Sequence, residues 1–497
     1  MKFLDQCLHY VITLLLYVYI APSDLSQPED ELPEEEWISD DDVSTSFKYD
    51  IGEDSEPEVM SVQDLPPQSL AIVRWLTLFL LSLQAAYHLS NRAINYLFRF
   101  LATLFTVLAR YTVTSNFAQS FPPTLYLAKK RFLNKVKFLR YVVCRKCFKI
   151  YKMSDCVEGP VRQPKSKVCP FQPYGDHPHR RRRATCQTVL MKSVELVGGR
   201  RILYPFLLYC YLGVEATLQQ VLQRPNIDKW CEEWRHIQRK EDNYCDVYDG
   251  KIWQDFCNYD GSPFLSEPNN LALMLNMDFF QPYKHLKGYS VGGIYCIIMN
   301  LPREIRYKQE NVLLIGLIPG PKEPDHDINS FLNPMVEELN QFWSGKSLSC
   351  NDGAVVFRCA LLCVACDIPA GRKVCGFLSH NAHFACSRCF KRFPGTFGNI
   401  DFSGFDRENW PKRDGKVHRR VAMGLRTFTT PAEQERRESQ AGLRYSSLLR
   451  LPYFDAPTML IVDPTHNLFL GSAKRIMQSI WIERKILTDQ QFKVIQQ

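Results

Sequence analysis

Two sets of side chains in this 497-residue sequence are spaced for chemistry. The first is a block of sulfur and imidazole. Cys144 and Cys147 form a C-x-x-C pair, followed by Cys156, Cys169, His177, His179 and Cys186. Thiolate and imidazole at such spacing, in polar loops, suit a tetrahedral Zn²⁺ that takes the place of an apolar core. The expected ligands are Cys144, Cys147 and Cys169 with one of His177, His179 or Cys186. The competing reading is a set of buried thiols with surface histidines. Beside these residues runs Arg180, Arg181, Arg182 and Arg183. Metal could hold this basic loop against the phosphates of a polyanion, and the sparse aromatics favour backbone contact over base reading.

The second set is a pair of isolated carboxylates, each at the end of an apolar run. Leu271 to Met277 reads as a buried strand that stops at Asp278. Tyr289 to Leu301 and Asn311 to Ile318 read as two more strands, stopped by Pro302 and by Pro319-Gly-Pro321. From Ile328 to Trp343 the apolar positions Ile328, Phe331, Leu332, Met335, Val336, Leu339 and Trp343 fall on one helical stripe. Ala354 to Cys366 is a fourth strand with Asp367 at its end. Short turns predict an antiparallel meander, and the helical crossover predicts a fourth strand parallel to the first. That order is the order of an RNase H-like nucleotidyl-transferase fold, and it brings Asp278 beside Asp367. Paired carboxylates favour a hard divalent cation, Mg²⁺ or Mn²⁺, of the kind that supports phosphodiester chemistry. The plainer alternative is that each Asp caps a turn.

The rest of the chain frames these groups. A hydrophobic share of 45% and a charged share of 23% exclude a disordered chain. The 18 cysteines occur in a chain too long for a small disulfide scaffold, so a reducing compartment is expected. The net charge of +8 is unevenly spread. Charges from Glu29 to Asp64 are acidic except Lys48, whereas those from Lys129 to Arg201 are nearly all basic, which points to a polyanion partner. Residues 1–22 resemble a hydrophobic signal segment, and 23–66 read as an acidic disordered linker. Residues 67–120 read as a helical hydrophobic region, with packed amphipathic helices favoured over membrane insertion because polar residues interrupt the apolar run. A basic Cys/His module follows over 121–201, then a helical region over 202–259.

Ten short strings, in order, identify a relative. They are Tyr141-Val-Val-Cys-Arg-Lys-Cys147, Asp246-Val-Tyr-Asp-Gly250, Leu275-Asn-Met-Asp278, Tyr289-Ser-Val-Gly292 and Asn300-Leu-Pro-Arg303, then Ile318-Pro-Gly-Pro321, Cys366-Asp-Ile-Pro-Ala370, Lys373-Val-Cys-Gly-Phe377, Cys386-Ser-Arg-Cys389 and Asp463-Pro-Thr-His-Asn-Leu-Phe-Leu-Gly471. In these strings the chain resembles the Tnp2-type transposases of CACTA (EnSpm-like) elements from about 125 to 497. The resemblance implies an α+β protein with an RNase H-like (DDE-type) core over 260–400, interrupted by a helical insertion over 401–497. It implies nuclear location, double-stranded DNA as partner, and metal-dependent cleavage and strand transfer at transposon ends. A homo-oligomer is a further partner state it allows. Asp278 and Asp367 take the places of the first two metal-binding acids. Cys386/Cys389 resembles half of a zinc site that, in the related V(D)J recombinase catalytic subunit, later histidines complete; His466 is the expected third ligand here. The family's third acid, a glutamate, is expected beyond Gln497, with Glu433 and Glu483 too early in the chain. Two other classes stay open: a zinc-dependent DNA-binding protein without catalysis, and a secreted or membrane protein if residues 1–22 act as a signal.

Overall fold

The computed structural model describes residues 67–87, 89–109, 120–132, 138–160, 164–174, 184–195, 201–238, 243–282, 288–324, 328–350, 353–396, 399–404, 408–484, 486–488, 490–491 and 494. The expectations for residues 1–66 and for His177, His179 and Arg180 to Arg183 lie outside the described residues. The chain divides into two compact units.

One unit is helical. Helix α1 (Pro67–Tyr87) and helix α2 (Asn91–Leu108) are joined by a short turn, in which the Ser90 hydroxyl accepts the Ala93 N–H and caps α2. Helix α3 (Leu125–Phe132) completes a small core of Val73, Leu80, Ile94, Phe98, Phe121, Leu125 and Ala128. Among the described residues no helix is long and apolar enough to cross a membrane.

The other unit is built on a curled eight-stranded sheet. Its strands, in chain order, are β1 (Leu139–Val143), β2 (Ile150–Lys152), β3 (Leu208–Tyr211), β4 (Asn270–Phe280), β5 (Val291–Ile298), β6 (Val312–Ile318), β7 (Lys346–Cys350) and β8 (Gly353–Val364). In space they run β7-β8-β4-β5-β6-β3-β1-β2. The strands β4, β5 and β6 form an antiparallel meander, and β8 pairs parallel with β4. Both relations follow the sequence pattern. β5 is buried at every position, as expected of a strand covered on both faces. Helix α4 (Val214–Leu222) packs on β6, and helix α5 (Ile328–Ser344) packs on β8. The buried stripe of α5 includes Phe331, Leu332, Met335, Val336 and Leu339, each contributing about 1.5–3 kcal/mol.

Two parts differ from the sequence expectation. The region read as helical over 202–259 opens with two strands, Arg201–Pro205 and β3, before its helices begin. The aromatic density there serves sheet packing: the Tyr209 ring meets Phe331 edge-on at 5.1 Å, and its hydroxyl donates to the Phe331 carbonyl at 3.0 Å. A fifth strand, β7, also lies between α5 and β8, where Leu348 is buried between exposed Ser347 and Ser349. That alternation has the strand period, but over too few residues to stand out beside α5.

Candidate functional site

The edge of the sheet where β4 and β8 end is set by backbone pairing. Leu275 is the register partner of Val364 in the parallel pair, and Asp278 and Asp367 each lie three residues further on. The two segments stay locked together almost to the carboxylates. The Ala365 N–H donates to the Leu275 carbonyl at 2.9 Å, the Asn276 amide donates to the Ala365 carbonyl, and the Met277 N–H donates to Cys366 Sγ at 3.2 Å. Asp367 then caps helix α6 (Ile368–Cys375), its Oδ1 accepting the Ala370 N–H at 2.7 Å. The turn-capping reading of Asp367 is therefore correct as far as it goes. It leaves the other carboxylate oxygen without that duty.

Asp278 sits opposite Gly293 on β5, with Phe279 opposite Gly292. Both glycines are required by close approach. A Cβ at Gly292 would lie 2.6 Å from the Phe279 ring, and one at Gly293 would lie 2.4 Å from the Tyr295 hydroxyl. Burial first, and the neighbouring Asp367 carboxylate second, hold the Asp278 carboxyl above the ordinary aspartate range. His466 and the Phe279 N–H oppose that shift, and Glu323 adds to it. Glu323 follows β6 at the same edge and is paired with Lys373 of α6 at 2.7 Å. The Lys373 ammonium also lies 5.4 Å from the centre of the Phe279 ring. Four carboxylate- and ammonium-bearing residues thus surround the strand end, and two of them, Glu323 and Lys373, had no assigned role in the sequence reading.

The second centre is made of sulfur. Cys144, Cys147, Cys169 and Cys186 place their Sγ atoms within 4.8 Å of one another. Cys144 lies 3.6 Å from Cys186, and Cys147 lies 3.5 Å from Cys169. Four sulfurs about 2.3 Å from a tetrahedral Zn²⁺ would stand about 3.8 Å apart, which the Cys144–Cys186 and Cys147–Cys169 pairs match to within a few tenths of an ångström. A tight turn follows Cys144, whose carbonyl accepts the Phe148 N–H at 2.9 Å, with Phe148 in the left-handed region at φ 52°. Cys169 and Cys186 are brought together by backbone bonds: the Cys169 N–H donates to Thr188 and the Cys186 N–H to Phe171, at 2.8 and 2.7 Å, beside the antiparallel bridge of Val168 and Val189. The N–H groups of Lys149, Phe171 and Thr188 are each directed at the sulfur two residues earlier, on Cys147, Cys169 and Cys186. Such donors favour thiolate. Burial pushes the Cys147 and Cys169 thiols up, whereas at Cys186 the bonds from the Thr188 hydroxyl and N–H, with those to Cys144 and Cys169, together outweigh burial and bring it to about 7. Cys156 lies outside the cluster and donates to the Lys152 carbonyl. Arg145, Lys146, Lys152, Lys165 and Lys167 are exposed on the same module.

At the other C-x-x-C, the Arg388 N–H donates to Cys386 Sγ at 3.3 Å and the Lys391 N–H is directed at Cys389. Buried Arg413 donates to the carbonyls of both cysteines, each at 3.1 Å. Among the described residues this pair is not gathered with His466 into a group of three ligands. His466 is instead bonded through Nδ1 to Asp463.

Two of the recurring strings serve the scaffold. Arg306, 1% exposed, makes a two-point bond to Asp246 at 2.7 and 3.1 Å and reaches the Tyr248 hydroxyl at 2.9 Å. That hydroxyl donates to the carbonyls of Asn300 and Leu301, both at 2.9 Å, and Asn300 Oδ1 accepts the Ala272 N–H of β4 at 2.8 Å. The network ties the start of β4 to the turn after β5. Arg306 was not singled out from sequence; the acidic string at 246–250, with no partner assigned, was the available signal.

No curated protein matches the chain. Residues 241–396, which include β4, β5, β6, β8, Asp278, Asp367 and Cys386/Cys389, match the family described as Transposase family tnp2, so this part of the chain is similar to Tnp2-family transposases.

Proposed function

We propose that this protein is a transposase or transposase-derived protein that cleaves DNA and joins strands at transposon ends, with an RNase H-like core as its catalytic scaffold. The observation that carries the reading is the parallel pairing of Leu275 with Val364, which sets Asp278 and Asp367 side by side at one sheet edge. The donor set fits the metal the family uses, since carboxylate oxygens are hard ligands suited to Mg²⁺ or Mn²⁺. Asp278 and Asp367 would hold that metal, which when bound supplies charge stabilisation and an activated oxygen nucleophile for phosphodiester chemistry. The chain's own residues set the stage. Phe279 and the close-packed Gly292 and Gly293 fix the end of β4, and the cap on α6 fixes Asp367. The Cys144, Cys147, Cys169 and Cys186 cluster is proposed as a structural Zn²⁺ site that presents Arg145, Lys146 and their basic neighbours to DNA phosphates. The residue roles, the double-stranded DNA partner, the CACTA affinity and the nuclear location are parts of this proposal.

The test is cleavage of duplex DNA bearing the element's own terminal repeats, in Mg²⁺ or Mn²⁺, by zinc-loaded protein. Cleavage by the wild type that is lost in both Asp278→Asn and Asp367→Asn is the expected result. DNA binding without cleavage by the wild type would overturn the catalytic part and favour a zinc-dependent DNA-binding protein.

A further inference from the structure

Two hydroxyls reach the sulfur cluster from residues that are not themselves ligands. In the β1–β2 pair, Val142 lies opposite Tyr151 and Val143 opposite Ile150. Side chains alternate along a strand, so the pair has two faces with different neighbours. Val143 and Ile150 belong to the core of the large sheet, whereas Val142 and Tyr151 pack with Cys144, Cys156 and Cys169. From that second face the Tyr151 hydroxyl meets Cys169 Sγ at 3.1 Å. The Thr188 hydroxyl meets Cys186 Sγ at 3.2 Å. Each of these two sulfurs also receives a backbone N–H, from Phe171 and Thr188 respectively. A thiol can donate in such a bond, but a thiolate can only accept. With both sulfurs on a metal, the two hydroxyls must therefore be the donors.

We propose that Tyr151 and Thr188 are positioning residues of the sulfur centre: their hydroxyls donate to Cys169 and Cys186, aim these thiolates at a Zn²⁺ and hold part of their negative charge. The inference rests on the Zn²⁺ reading given above and deepens it, by assigning two residues that the spacing of the cysteines does not reveal. Four thiolates around one divalent cation leave a net negative charge, and Cys144 and Cys169 are buried. Donors directed at the sulfurs offset that charge where it sits, and a bond to an ionised acceptor is stronger than one to a neutral acceptor. A tyrosine that only filled the module's core would need its ring and not its hydroxyl.

The experiment removes each hydroxyl while keeping the side chain's bulk, in Tyr151→Phe and Thr188→Val. Thr188→Ser keeps the hydroxyl, and Tyr174→Phe is a control whose hydroxyl bonds Gln434 instead. Zn²⁺ affinity of the full chain is measured by competition with a chromophoric chelator. Co²⁺ in place of Zn²⁺ reports the sulfur-to-metal charge-transfer band. Tyr151→Phe and Thr188→Val should each weaken Zn²⁺ binding by about 10–100-fold. Each should also move the band to longer wavelength, because a thiolate without its donor gives up charge more easily. Thr188→Ser and Tyr174→Phe should keep the wild-type affinity and band. Wild-type values in both Tyr151→Phe and Thr188→Val overturn the inference and leave the four-sulfur site standing. So does weaker binding with an unmoved band, which lost packing alone would produce. A wild type that binds neither Zn²⁺ nor Co²⁺ overturns both readings.

Discussion

Removal of one cysteine from the sulfur cluster should unfold its module and spare the rest of the sheet. The perturbation is Cys186→Ser, with chelation of the wild type as its counterpart. The reason lies in what the module buries. Its core consists of Val142, Cys144, Cys156, Cys169, Leu190 and Met191. Half of these are cysteines, two of them in the cluster, so only Val142, Leu190 and Met191 are aliphatic anchors. Three such side chains contribute about 5–9 kcal/mol if fully buried. A structural Zn²⁺ contributes about 10–16 kcal/mol near neutral pH, so such an ion held by the four sulfurs would stabilise the module more than its apolar side chains do. Hydrogen exchange read by mass spectrometry can follow the outcome amide by amide. The N–H groups of Cys144, Cys169 and Cys186 are bonded to the carbonyls of Lys149, Thr188 and Phe171 at 3.0, 2.8 and 2.7 Å. These amides should lose protection in Cys186→Ser, and bound zinc should fall by one ion per chain. The β4–β5 ladder, from Leu273–Ile298 to Phe280–Val291, should stay protected. A chelated protein that keeps the three cysteine amides protected would refute the reasoning, because the fold would then be independent of the ion.

Two further outcomes follow from groups held against their preference. Asp278 has its carboxyl raised by burial and by Asp367, so it costs stability when ionised. The native state binds the proton more tightly than the unfolded chain does. Its favourable contribution is thus full below the unfolded carboxyl range and is lost as pH rises through the raised native value. Asp278→Asn should therefore stabilise the metal-free protein near pH 7, by about 0.5–2 kcal/mol, and the gain should vanish near pH 3.5. Melting curves at both pH values decide this, and a variant less stable than wild type at neutral pH contradicts it. Arg306 and Asp246 form a buried pair with side-chain exposures of 2% and 18%. Asp246→Ala leaves a buried guanidinium without its carboxylate and should cost about 3–5 kcal/mol, whereas Arg306→Met leaves an aspartate that water can reach and should cost less. Urea midpoints measure the difference, and the reverse order would show that the network is not governed by desolvation.

The sequence was most legible where one element buried one face or ran continuously through the core. The apolar runs at 271–277, 311–318 and 354–366 became strands, and the stripe from Ile328 became α5, because burial imposes the periodicity that a reader detects. Parallel pairing of the first and fourth strands was also legible, since a helical crossover allows little else. Less legible were contacts made across long separations by residues without a pattern of their own. β3 enters the sheet by pairing with both β1 and β6, and nothing in Leu-Tyr-Cys-Tyr distinguishes that from helix packing. Within the sulfur block, spacing gave a family of ligand sets; among the described residues, the backbone bonds from Cys169 to Thr188 and from Cys186 to Phe171 bring the Cys186 sulfur to the other three.

The Asp463 string shows what spacing alone leaves out. A histidine three residues after an acid, downstream of a C-x-x-C pair, suggested a sulfur–imidazole site, whereas in the structure His466 is bonded through Nδ1 to Asp463. What separates the two arrangements is the bridge from Leu460 to Val364, a backbone contact nearly a hundred residues apart in sequence that no local pattern encodes. Once that bridge is in place, the segment that leads to Asp463 and His466 joins the parallel order set by Leu275 and Val364. The residue types were visible in the sequence, but the register that decides which of them meet is a property of the sheet.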